Sequence, residues 1–198
     1  MVRKYRLKRP FDYLLSLVLL LLSLPLWFLI TIAIYLEDRG APFFSQERCG
    51  FGGKTFRAIK FRTMKLPEKG AGSHKVIYFE EDTRVTKIGK ILRVTALDEL
   101  PGLINILKGE MSFVGPRPLP FRVESESRYR TLDEVPGYAL RSKMRPGLTG
   151  IAQVYAPKNI DRRNKFRYDN IYVKKQSSCL DSWLILQSIV MALKGKWD

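Results

Sequence analysis

Cysteine and histidine are almost absent from this 198-residue chain, which has two cysteines, Cys49 and Cys179, and one histidine, His74. Two cysteines so far apart exclude a disulfide scaffold and suit a reducing compartment. No Cys/His cluster has zinc-ligand spacing, so a zinc site is excluded too. Any metal must then be a hard cation held by carboxylate and phosphate oxygens. Acids are also scarce: 19 Asp and Glu stand against 35 Lys and Arg, a formal net charge of +16. That excess calls for an anionic partner, whether nucleic acid, an anionic membrane surface or a phosphorylated substrate. Charge alone does not choose among them. Repeats, low-complexity tracts and a second long apolar run are missing, which removes support for a polytopic fragment.

One long apolar run is present. From Tyr13 to Leu36 the chain reads YLLSLVLLLLSLPLWFLITIAIYL, without a charge. As a helix at ~1.5 Å per residue it is about 36 Å long, enough to cross a ~30 Å hydrocarbon core. It is long for a signal peptide, and no A-x-A-like cleavage site follows it. A single span is the simplest reading, but two features oppose it. Arg3, Lys4, Arg6, Lys8 and Arg9 precede the run, and Arg48, Lys54, Arg57, Lys60, Arg62 and Lys65 follow, with no acid from Arg48 to Lys65. By the positive-inside rule both flanks belong in the cytoplasm. Pro25, near the middle, removes a backbone donor and clashes with the preceding turn, while Ser23 is placed to re-satisfy a freed carbonyl. A re-entrant helix that bends at Pro25 and returns to the same face meets both observations; a plain span stays the alternative. Asp12 lies beside Lys8 and Arg9 at ion-pair spacing, suited to fixing insertion depth.

Beyond the run, roughly 160 residues can bury one modest core. The division is therefore a membrane helix over 1–40 and a single globular unit over 41–198. GFGGK, between alternating apolar stretches, predicts a hairpin or tight turn. Residues 66–82 read as a polar loop carrying His74, and Thr86 to Val94 suits a short helix. Leu97, Leu100, Leu103, Ile104 and Leu107 recur at helical spacing, ending at Lys108-Gly109. A Pro-rich turn over 115–120 leads to a charged helical stretch over 122–142, then a turn through Pro146-Gly147 and Gly150. Cys179 to Leu193 is a core helix or one lying in the membrane interface. The fold class is α+β and mainly helical, with a short hairpin and interfacial amphipathic helices.

Asp98 and Glu99 are adjacent acids near the start of an apolar helix. Thr95, three residues before Asp98, permits a plain capping arrangement, since acids favour helix N-termini. The same residues also permit catalysis. Lys60 and Arg62 in IKFRTM, Arg93, Arg117 in GPRP and Arg145 in MRPG set basic groups in or near rigid turns, which suits phosphate recognition. Paired carboxylates beside such cations are the parts of phosphoryl chemistry: a nucleophile, a magnesium ligand and charge neutralisation.

The order KR-x-x-D before the proline-interrupted run, then KFRTM, LDELPGLINILKGEMSFVGPRP, RPGLTGIAQV and DNIYV, resembles the bacterial monotopic phosphoglycosyl transferases. The resemblance runs from about Lys8 to Leu193. It implies transfer of a sugar-1-phosphate from a UDP-sugar to polyprenyl (undecaprenyl) phosphate, releasing UMP. It further implies a ping-pong route through an aspartyl-phosphosugar, Mg2+, and a monotopic setting at the cytoplasmic face of the bacterial inner membrane. On this resemblance Asp98 is the nucleophile and Glu99 its partner, both at the metal. Lys60, Arg62, Arg93 and Arg117 bind or shape the phosphate site. Arg145, Thr149 in the PGLTG turn and Gln153 border the nucleotide sugar, and Asp169 matches an acid before the aromatic-Val pair. Ser23 and Pro25 mark the break in the membrane helix, although Leu24 here separates two residues that are commonly adjacent. The stretch DRRNKFR, 161–167, is richer in cations than the family pattern. Anionic lipids are implied partners, and a homo-oligomer is left open. The competing reading is a membrane-tethered basic module that binds nucleic acid or a partner without catalysis, its nine Tyr and eleven Phe stacking on bases. Its cations are dispersed, and no helix-turn-helix, RRM or zinc-finger pattern occurs.

Overall fold

The computed structural model describes residues 7–65, 84–121, 131–157, 159–195 and 197. The predicted His74 loop and much of the predicted charged helix over 122–142 lie outside the described residues. Helix α1, Lys8–Asp38, is one continuous helix with Pro25 inside it, so the run is not divided in two at the proline. Ser23 Oγ donates to the Leu20 carbonyl at 3.1 Å, one residue short of the Leu21 carbonyl that Pro25 leaves without its donor. Strands β1, Phe43–Cys49, and β2, Thr55–Phe61, form the predicted hairpin, with Phe43 opposite Phe61 and Cys49 opposite Thr55. Gly52 and Gly53 turn it at φ 66° and 77°, backbone that glycine adopts without a Cβ penalty.

Helix α2, Lys87–Val94, is capped by the Thr86 side chain, which accepts from Gly89 N–H at 2.9 Å. Thr95 closes this helix: its Oγ1 donates to the Ile91 carbonyl at 2.7 Å. The capping arrangement of Thr95 with Asp98 is corrected: Thr95 ends α2, and the turn that holds Asp98 starts from Ala96 with no side-chain cap. The single helix expected over Leu97 to Leu107 is also divided. Leu97–Glu99 is one 3-10 turn, and α3 spans Gly102–Leu107. Pro101 has no N–H for the Leu97 carbonyl, so α-helical bonding cannot run through.

Strand β3, Ser112–Val114, and β4, Gly147–Thr149, form a parallel pair that local patterning did not predict. A glycine seam joins them. A Cβ on Gly147 would lie 2.1 Å from Gly115 N, and Cβ atoms on Gly115 and Gly150 would lie 2.3 Å from the carbonyls of Arg145 and Gly115. Helix α4 spans Tyr138–Arg141, α5 Ile151–Tyr155, α6 Arg162–Lys175 and α7 Ser178–Leu193. The main core gathers Phe56, Leu103, Ile106, Phe113, Val114, Tyr172 and Leu184.

Helix α1 is held to this body at both ends. Near its start Lys8 pairs with Asp181 of α7 at 2.6 Å, and Asp12 accepts from Phe113 N–H at 3.2 Å. Near its end Asp38 pairs with Arg62 through both carboxylate oxygens, and Glu37 accepts from Lys87 N–H at 2.7 Å. Ile30 and Ile34 pack with Phe61 and Leu92, while Leu21, Leu22 and Phe28 are exposed.

Candidate active site

The Asp98–Glu99 turn is introduced by Ala96, whose φ of 58° puts a non-glycine residue in left-handed backbone. Such a conformation costs free energy and persists only where the surroundings enforce it. It turns both carboxylates toward β2 and the GPRP loop. Lys60 Nζ sits 2.6 Å from Glu99 Oε1 and 3.6 Å from Asp98 Oδ2. Arg117 Nη2 reaches the same Glu99 oxygen at 3.2 Å. Burial pushes the Asp98 carboxyl up to about 6, with the Glu99 charge adding to the rise and Lys60 opposing it. Burial alone would raise Glu99 as well, but Lys60 and Arg117 outweigh it and hold Glu99 below its usual range. The pair is thus differentiated: one carboxylate is saturated by cations, and the other is desolvated and more basic. A carboxylate of that kind is the better nucleophile.

Two supports position these groups. Asn105, fully buried, accepts from Ile59 N–H at 3.0 Å and donates to the Arg57 carbonyl at 2.8 Å, locking β2 and Lys60 to α3. Arg141 is fixed by Asp169 at 2.7 Å, stacks over Phe166 at 4.6 Å and donates to the carbonyl of Arg117. Asp169 therefore acts on the site through Arg141 and the loop. Arg93, bonded to Thr63 Oγ1 at 3.0 Å, adds its charge to the field at Asp98. Asn105 and Arg141 were missed by sequence reasoning. A polar residue amid Leu103, Ile104, Ile106 and Leu107 was the available signal for Asn105; nothing distinguished Arg141 from its charged neighbours. Two adjacent carboxylates fit Mg2+, which takes one or two protein carboxylates and completes its shell with water and substrate phosphate. Among the described residues no group of three or more His, Cys, Asp or Glu converges.

The sequence profile of the bacterial sugar transferases matches residues 3–195. The chain belongs to that family. It is 38% identical over 195 residues to the UDP-glucose:undecaprenyl-phosphate glucose-1-phosphate transferase of Klebsiella pneumoniae, covering 96% of this chain and 40% of that protein. To the exopolysaccharide production protein ExoY of Sinorhizobium fredii it is 35% identical, covering 92% of this chain and 83% of ExoY. A UDP-N-acetylgalactosamine-undecaprenyl-phosphate N-acetylgalactosaminephosphotransferase of Aeromonas hydrophila is 37% identical over 96% of this chain and 44% of its own length. The chain thus spans under half of two of these relatives and most of the third.

In this family member three of the predicted site residues, Arg62, Arg145 and Thr149, are bonded to partners other than the carboxylates. Arg62 is buried against Asp38, tying α1 to the hairpin. Arg145 donates to the Gly109 carbonyl at 2.8 Å and stacks on Phe51 at 5.3 Å. Thr149 shares a hydrogen bond with Ser188 of α7. Gln153, on α5, has both amide atoms shielded from solvent and without hydrogen-bond partners.

Proposed function

We propose that this protein transfers a sugar-1-phosphate from a UDP-sugar to undecaprenyl phosphate, an early membrane step of exopolysaccharide or glycoconjugate assembly. The observation that carries the reading is the buried carboxylate pair, with Lys60 and Arg117 on Glu99 and Asp98 shifted to about 6. An Asp98 oxygen attacks the sugar-bearing phosphorus, forming an oxygen–phosphorus bond. The bond to the bridging oxygen breaks, and UMP leaves with the electron pair. The lipid phosphate then attacks the aspartyl-linked phosphorus and regenerates Asp98, a ping-pong sequence. Asp98 and Glu99 would hold Mg2+, which when bound supplies neutralisation of phosphate charge. Lys60, Arg117 and Arg93 bind and orient the diphosphate; Gln153, Thr149 and Arg145 flank the donor's remainder.

The site must meet a soluble donor and a headgroup-level acceptor. A monotopic arrangement on the cytoplasmic face, with α1 re-entrant and residues 41–198 as the catalytic unit, meets that need. Supporting it, both ends of α1 are bonded to one body, whereas its middle exposes Leu21, Leu22 and Phe28. The net charge of +16 suits anionic lipids and both substrates. Relatives are named for glucose, N-acetylgalactosamine and galactose, so a donor panel should span these sugars.

The test is single-turnover labelling with sugar-labelled UDP-sugar and no acceptor. Wild type should release UMP and retain labelled sugar phosphate on the protein. Asp98→Asn should do neither, with a loss of 10³-fold or more, on the order seen when a covalent nucleophile is removed. Near-normal UMP release by that variant would overturn the assignment.

A further inference from the structure

The cation-rich start of α6 is not used by the reaction as described. Arg162, Arg163, Lys165 and Arg167 fall within one helical turn and a half. Positions 162, 165, 166 and 169 share a face, and that face is oriented by what it buries. Phe166 and Asp169 are buried, and Asp169 grips the Arg141 that bonds the Arg117 carbonyl. Arg163 and Arg167 are exposed. Arg162 and Lys165 therefore lie on the side of the GPRP loop whose Arg117 contacts Glu99.

Two facts say this row is built for an anion. Lys165 is held below its usual range by burial first, then by Arg117 and Arg162 beside it. Arg162 Nη1 is sealed from solvent without a hydrogen-bond partner. Crowded like charges and an unsatisfied guanidinium N–H both cost folding free energy, and an incoming anion would relieve both.

We infer that Arg162 and Lys165, together with Arg117, form a subsite for the second phosphate of the nucleotide donor, the one that departs as nucleoside monophosphate. The inference rests on the transfer reaction proposed above. As the Asp98 oxygen bonds to the sugar-bearing phosphorus, the bridging oxygen leaves with its electron pair and gains negative charge on UMP. No proton needs to move. Cations facing that phosphate bind it more tightly as the charge develops, so they act on the transition state as well as on binding.

The experiment uses the full chain in nanodiscs and compares the Arg162→Gln/Lys165→Met double variant with Arg163→Gln/Arg167→Met, which removes equal charge from the exposed side. UMP and uridine binding are measured by calorimetry, alongside KM for UDP-sugar and for undecaprenyl phosphate. The first variant should weaken UMP binding and raise the donor KM on the order of tenfold, consistent with loss of charge-assisted bonds. Uridine binding should stay unchanged and the melting temperature should not fall, the second variant should match wild type, and Lys165→Arg should retain UMP binding. Unchanged UMP affinity or an equal loss in the exposed-side variant would overturn the subsite. UMP binding without any transfer by wild type would sink the proposed reaction and leave the phosphate subsite standing.

Discussion

Asp169 is a buried carboxylate and Glu99 a largely buried one, both facing arginine, yet their cations differ in exposure. Arg141, on Asp169, has a side chain only 5% exposed; Lys60 and Arg117, on Glu99, are 33% and 46% exposed. The first pair is closed on every side, and exchanging its partner would mean opening the core. The second is open on the cation side, where Lys60 and Arg117 reach solvent. Burial of the acid is common to both. Exposure of the cation separates the two pairs.

Arg141→Ala should show the largest effect. It leaves Asp169 uncompensated in the interior, a change that costs about 3–5 kcal/mol for buried pairs. Denaturant unfolding in micelles would measure it, and a loss under ~1 kcal/mol would erase the contrast. Lys60→Met should reverse the balance. Removing one preorganised charge at the reacting phosphate lowers the rate about 100-fold. Its partly exposed pair contributes only about 0–1 kcal/mol to stability. Turnover and melting measured on the same preparation decide whether that dissociation of activity from stability holds.

The smallest effect is in pH. The proposed first half-reaction uses ionised Asp98, so donor kcat/KM should fall tenfold per unit below about 6 and level off above it. Lys60 lowers the Asp98 value, so Lys60→Met should move that limb to higher pH. Stability runs the other way. Folded Asp98 holds its proton more tightly than an unfolded aspartate, so ionising it costs stability as pH rises from about 4 to about 6. Asp98→Asn should remove that dependence, which melting curves across the window would register.

How much of this was legible depends on the range of the interaction. The apolar run, the hairpin and the acid pair are written in neighbouring residues, and the structure contains α1, β1–β2 and Asp98–Glu99 where local pattern puts them. The parallel pairing of Ser112 with Gly147 joins segments that no local period relates. Arg62 reads with Lys60 in IKFRTM as a phosphate cation, but it faces Asp38, reached only through the return of the chain after α1. Thr95 fitted a capping pattern, but it ends α2 and the Asp98 turn starts one residue later, from Ala96.

The glycine seam has a consequence for recombination among relatives. With backbone only 2.1–2.3 Å from any added Cβ at Gly115, Gly147 and Gly150, the GPRP loop and the PGLTG turn can exist only as a matched pair. A chimera that imports one of these segments without the other inherits a surface with no counterpart. The unit that must be exchanged together is therefore a discontinuous one, 112–118 with 145–153, moved in a single step.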